Sequence, residues 1–197
     1  MIKTKADYKR YLKQDALALR RVGKKRPSLF GDSIWKFQRC LRKCEYHNSL
    51  SKVQKLLRLP SYVYNRIKYE RLSQRHCFCI TFGVFDEGLA IAHRGAIVVS
   101  NYARIGKNCR IHEGVTIGGS NGEMDAAQIG NNVFIGPGVK IVGPVTIADD
   151  VALAPNTVVT KSITEPGTTW GGIPAKLISQ NNSRSNLSPY LFTTDNN

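Results

Sequence analysis

Aliphatic residues return every six positions through the second half of the chain. Counting in sixes from Val99 gives Ile105, Ile111, Ile117, Glu123, Ile129, Ile135, Ile141, Ile147, Leu153 and Val159. Ten of these eleven positions hold Leu, Ile or Val, against about a quarter of the whole chain, so the period belongs to the fold. A second beat, four residues further on, runs through Ala103, Cys109, Val115, Val133, Val139, Val145, Val151, Thr157 and Ile163, and extends upstream through Phe85, Ile91 and Ile97. Helices repeat at about 3.6 residues and strands at about 2, so neither alone explains the beat. A short strand followed by a bend does: each unit turns one aliphatic side chain inward, and stacked coils bury a continuous apolar column. The glycines and asparagines of "IGKN", "IGNN" and "IGPG" suit bends where φ is positive. Glu123, the exception, lies in "GSNGEMDAAQ", which reads as a loop standing in for part of one repeat.

The pattern upstream is helical. In "DYKRYLKQDALALRR" Tyr8, Tyr11, Leu12 and Leu19 fall near one face. "GKKRPSLFGDS" breaks the helix, and Asp32 or Ser33 is placed to cap a second one in which Ile34, Phe37, Leu41 and Cys44 align. A third helical pattern starts after Ser51, breaks near Pro60 and resumes through "YVYNRIKYERLSQR". The Lys and Arg residues fall mostly on the polar faces. The organisation expected is a basic helical part over 1–79, a repeat domain over 80–166, and a C-terminal segment over 167–197. The last part of that segment, rich in Asn and Ser, reads as disordered or loosely docked.

Charge sharpens this division. Residues 1–80 carry 21 Lys and Arg against 5 Asp and Glu, and residues 81–197 carry 8 against 9, so the net +15 resides in the helical part. Solvated helix faces, an anionic membrane surface or an acidic glycan each fit such a balance, whereas no aromatic–basic pattern points to nucleic acid. The five cysteines form no CxxC pair and read as small apolar residues in a reducing compartment. A charged N-terminus and the lack of a long apolar run predict a cytoplasmic protein, at most peripheral at the inner face of the membrane.

His93 stands where the beat otherwise places Val or Ile. The stretch "GLAIAHRGAIVVS", the following "IHEGVTIGG", and "IGPGVKIVGPVTIADDVALAPNTVVTKSI" with "GGIPAKLI" resemble the hexapeptide-repeat acyltransferases, in particular their serine acetyltransferase branch and the relatives found with surface-polysaccharide genes. The resemblance implies an all-β left-handed parallel β-helix behind an α-helical N-terminal domain, acetyl-CoA as co-substrate, and a homotrimer with sites between neighbouring coils. It makes His93 the catalytic base, which suits the chemistry: an imidazole takes the hydroxyl proton as oxygen attacks a thioester. Gly136, Pro155, Gly172 and Lys176 would line the coenzyme A channel, and the bend at Gly118 and Gly119 offers N–H groups to an oxyanion. Asp86, Glu87 and Glu113 are candidates to orient His93, and Asp86, Glu87 and His112 to contact the acceptor. No metal is expected, since the repeat domain has only two histidines.

Two departures bear on the acceptor. Ala92 stands before His93 where the branch has Asp, and "GEMDAAQ" lacks the histidine and arginine that hold an amino acid there. These favour a sugar hydroxyl in surface-polysaccharide biosynthesis, with L-serine as the alternative. A non-catalytic scaffold with a membrane- or polyanion-binding helical part is the competing reading.

Overall fold

The computed structural model describes residues 1–120 and 124–193. Four helices come first: α1 (Lys5–Ala18), α2 (Ser33–Asn48), α3 (Lys52–Leu57) and α4 (Leu59–His76). Thr4 caps α1 in a reciprocal box with Asp7. Asp32 precedes α2 but does not cap it through its side chain, contrary to the sequence expectation. Its backbone is left-handed at φ 48°, and its carboxylate turns to Ser28 and Arg21 instead. The break near Pro60 is the junction at Arg58 between α3 and α4.

The strands that follow build three faces. The first holds β1 (Phe78–Ile80), β3 (Ile97–Val99), β6 (Thr116–Gly118), β9 (Lys140–Val142) and β12 (Val158–Val159). The second holds β4 (Arg104–Ile105), β7 (Gln128–Ile129) and β10 (Thr146–Ile147). The third holds β2 (Ala90–Ile91), β5 (Arg110–Ile111), β8 (Phe134–Ile135), β11 (Ala152–Leu153), β13 (Thr169–Gly171) and β14 (Lys176–Ser179). All pairs are parallel except β13–β14.

The register explains the six-residue beat. Ile105, Ile129 and Ile147 stack on one face, Ile111, Ile135 and Leu153 on the next, and Ile117, Ile141 and Val159 on the third. Three six-residue units therefore close one coil, and each face contributes one inward column. These side chains are almost fully buried; burying an aliphatic side chain stabilises by about 1.5–3 kcal/mol. The loop after β6 is an added unit at the edge between the first and second faces: its coil keeps all three strands and pairs above and below. Glu123 lies outside the described residues.

The helices and coils share one apolar core, in which Phe37, Leu41 and Tyr69 pack with Phe78, Ile80 and Leu89. A buried polar splint runs beside it. Arg42, on a helix otherwise read as basic on its outer face, is wholly buried. It donates to Asp15 at 2.9 Å, to Glu45 at 3.0 Å, and to the carbonyls of Phe85 and Asp86 at 2.8 and 2.6 Å. Asp15 in turn accepts the N–H groups of Gly88 and Leu89, and Gln38 donates to the Leu89 carbonyl. Helices α1 and α2 thus clamp the irregular stretch that leads to His93.

Of the two expectations for the Asn- and Ser-rich stretch, docking holds for its described part, and residues 194–197 lie outside the described residues. Short 3-10 turns at Ser183–Asn186 and Pro189–Leu191 lie along the coils. Leu187 is buried, Arg184 pairs with Asp150 at 3.1 Å, and the Ser188 hydroxyl donates to the carbonyl of Leu17 at 2.6 Å.

Candidate active site

One edge of the coil stack, between the third face and the first, gathers the chemistry. Ala92 donates to the Ile111 carbonyl, His112 to Ile135, Gly136 to Leu153 and Ala154 to Trp170, so these residues and the ones that follow them rise in a column. His93, Glu113, Pro137 and Pro155 follow these donors on successive coils. Glycines make the turns possible. Gly95 has φ 138°, and a Cβ there would lie 2.8 Å from Cβ of Glu113. Only glycine lets Glu113 seat against the turn that carries His93.

His93 and His112 face each other with ring centroids 5.4 Å apart, and Phe134 stands edge-on to His112 at 5.3 Å. Glu113 completes the group: donor atoms of the three side chains lie within 4.8 Å of one another. Nε of Arg110 donates to Nε2 of His112 at 3.3 Å, which assigns the His112 proton to Nδ1, 3.8 Å from the Glu113 carboxylate. Burial, then the charges of Arg110 and His93, lower the pKa of His112 from its usual 6.5, against the pull of Glu113. His112 is therefore neutral at pH 7. Oε2 of Glu113 is buried with no hydrogen-bond partner among the described residues, leaving an acceptor free for a proton-bearing group. These three donors form the one group of such side chains among the described residues close enough to share a metal ion, but the Arg110 guanidinium opposes a cation there.

Of the three carboxylates proposed to orient His93, only Glu113 is brought to it. Asp86 accepts the Tyr11 hydroxyl and the Glu87 N–H; burial alone would raise its pKa, but these donors bring it below the usual carboxylate value. Glu87 pairs with Arg10 at 2.5 Å and Lys107 at 3.2 Å. Both are engaged on the α1 side of the first coil, by Tyr11, Arg10 and Lys107. His112, by contrast, stands beside His93.

Gly136, Pro155 and Gly172 lie along the same edge or close to it. A Cβ on Gly136 would come 2.7 Å from the Leu153 carbonyl, so coil stacking alone requires glycine there. Gly172 has φ 94° in the turn between β13 and β14, and Lys176 is exposed at the start of β14. Gly119 does not join them. Six residues carry the chain one third of a turn, so Gly118 and Gly119 end the first face at the next edge and cannot donate to an oxyanion at His93 of the same chain.

Comparisons with known proteins agree with this architecture. Residues 126–161 match the family described as bacterial transferase hexapeptide (six repeats). A serine acetyltransferase of Mycobacterium tuberculosis is 35% identical over 92 residues, covering 46% of this chain and 40% of the relative. One from Staphylococcus xylosus is 37% identical over 98 residues, covering 49% and 45%. The chain thus spans less than half the length of these relatives. Among solved structures, serine acetyltransferase from Brucella abortus in complex with coenzyme A superposes with a TM-score of 0.66 at 21% identity, over 90% of this chain and 70% of that one. Soybean serine acetyltransferase complexed with serine gives 0.67 at 23%, over 88% and 70%. The chain carries the hexapeptide repeat of bacterial transferases on the fold of the serine acetyltransferases, a left-handed parallel β-helix with helices before it.

Proposed function

We propose that the protein is an acetyl-CoA-dependent O-acetyltransferase of the serine acetyltransferase type. The observation that carries the reading is the group of His93, His112 and Glu113 on one edge of a fold shared with enzymes of that name. His93 takes the proton of the acceptor hydroxyl as its oxygen attacks the thioester carbonyl. The tetrahedral intermediate collapses by breaking the C–S bond, and the coenzyme A thiolate leaves with the proton returned by the imidazolium. Glu113 holds that imidazolium. Transfer is direct, because no Ser or Cys nucleophile stands in the group. Gly136, Pro155, Gly172 and Lys176 line the path of coenzyme A, and a neighbouring copy in a homotrimer supplies the oxyanion donors, Gly119 among them.

The relatives' names favour the hydroxyl of L-serine as acceptor over the sugar hydroxyl that the altered loop suggests. Thiol release from acetyl-CoA, measured with L-serine and with a panel of monosaccharides, tests both. Release with serine alone establishes the first, and release with a sugar alone the second. No release with any hydroxyl acceptor overturns the enzyme reading in favour of a scaffold.

A second reading concerns the helices. Val53, Leu56, Leu57, Val63, Tyr64 and Ile67 form an exposed apolar stripe along α3 and α4, flanked by Lys52, Lys55, Lys68 and Arg71. No described helix is long and apolar enough to cross a membrane. The stripe and its charges support peripheral contact with an anionic bilayer, while the same charges oppose pairing with a second copy. Cosedimentation with phosphatidylglycerol vesicles but not with phosphatidylcholine vesicles is expected; equal binding to both, or to neither, overturns it.

A further inference from the structure

A cleft of about 360 Å³ opens between the end of α1, the start of α2 and strand β2; neither histidine lines it, but residues next to both do. This is the size of a site for a small ligand. Ala92 and Arg94, which flank His93 in the chain, both line it, and Arg110, which donates to His112, forms part of its wall.

Four arginines meet there: Arg20, Arg21, Arg94 and Arg110. The one carboxylate in the lining, Asp32, is spent on Arg21 at 2.7 Å. Among the described residues, Arg20, Arg94 and Arg110 have no carboxylate within ion-pair distance; Arg94 reaches only the Ser33 hydroxyl, at 3.2 Å. Burial and the neighbouring charge of Arg20 pull the Arg110 pKa below the usual arginine range. Converging cations with no counter-charge are costly unless an anion joins them.

Two further observations point to a ligand. Trp35 lines the cleft and is 2% exposed, yet its indole N–H has no partner among the described residues. Buried N–H groups are rarely left unpaired. The loop that shapes the rim is entered at Arg20 and left at Asp32, both non-glycine residues in the left-handed region, with φ 57° and 48°. Such strain gathers at binding sites.

We propose that this cleft binds the anionic group of the acceptor, a carboxylate or phosphate, while the acceptor's hydroxyl reaches His93. The inference rests on the acetyltransferase reading for its purpose and deepens it by naming the acceptor class. Arginine forks match both anions bidentately, and the indole N–H adds a neutral donor. The cleft would thereby do, from the helices and β2, what the loop "GEMDAAQ" lacks the side chains to do.

The test measures equilibrium binding by calorimetry without acetyl-CoA, and turnover separately, on the full chain. The probes are L-serine and D-glucuronate for carboxylate, D-glucose 6-phosphate for phosphate, and L-serinamide and D-glucose as counterparts without the anion. At least one anionic probe should bind about 10-fold or more tightly than its counterpart, and R20Q/R94Q should erase that preference while keeping the melting temperature and the KM for acetyl-CoA. In turnover the loss should appear in the acceptor KM. The preferred arm tells carboxylate from phosphate. No anionic probe binding at millimolar concentration, equal binding of the uncharged counterparts, or a preference that survives R20Q/R94Q overturns the proposal. Arginine-dependent binding without any turnover would instead retain the cleft and defeat the transferase reading.

Discussion

Arg42 and Asp15 form an ion pair at 2.9 Å with neither side chain more than 2% exposed, and the same carboxylate holds the N–H groups of Gly88 and Leu89. Removing one partner strands a buried charge. Arg42→Met should destabilise by about 3–5 kcal/mol in urea unfolding, and adding Asp15→Asn should recover part of that loss. Additive losses would show that the two residues act separately.

Glu113 and Asp86 are distinguished by their surroundings. His93→Ala should lower kcat by about 10²–10⁴ and Glu113→Gln by about 10-fold, both without loss of fold. Asp86→Asn should lower the melting temperature and leave kcat alone, since its partner is Tyr11. A kcat loss in Asp86→Asn with Glu113→Gln silent would reassign the orienting carboxylate.

His112 makes stability depend on pH. Its folded pKa lies below the ordinary 6.5, because burial first, and then Arg110 and His93, disfavour the cation. The unfolded chain therefore binds more protons there in mild acid. The contribution is whole above about pH 6.5 and is lost as pH falls through that value to the lower folded pKa. Unfolding free energies between about pH 7.5 and 5 should decline less steeply in His112→Asn than in the natural protein; identical slopes would contradict the assignment.

Two glycines test the coil geometry. A Cβ at Gly136 meets the Leu153 carbonyl at 2.7 Å, whereas one at Gly118 meets nothing within 4 Å. Gly136→Ala should cost about 1–3 kcal/mol and Gly118→Ala almost nothing, read as shifts in urea midpoint.

Asn108, Asn132 and Asp150 form a ladder across successive coils. Asn108 donates to Asn132 at 2.8 Å and Asn132 to Asp150 at 3.1 Å, all three with left-handed φ near 60°. Asn132→Gly loses the ladder but keeps the backbone; Asn132→Ala loses both, and should be less stable than the glycine variant by about 1 kcal/mol. Equal melting temperatures would place the ladder alone in control.

The repeat was legible because Ile111, Ile135 and Leu153 each face inward with nothing to contradict them. Arg42 was not: a lysine-and-arginine-rich helix looks solvated, and only the meeting of α1, α2 and the first coil buries one of its guanidinium groups. Glu113 could be named as a candidate, but choosing it over Asp86 and Glu87 required knowing that Tyr11 and Arg10 occupy those two. Gly119 stands near the coil of His93 in sequence but at the next edge in space, because six residues turn the chain by a third of a coil. The Asn- and Ser-rich stretch could be read only as disordered or loosely docked, because its few anchors, Leu187 and Ser188, act through sites far away in the chain.

Ser188, in the segment after the last coil, rests on Leu17 in the first helix. A stack of coils can ordinarily fray from its last member, since each coil holds only its neighbours. Here that peeling must first undo a contact with α1, which is itself locked to Arg42 through Asp15. The turn that follows the last coil is thus clasped to the first helix, so Ser188→Ala should loosen both together.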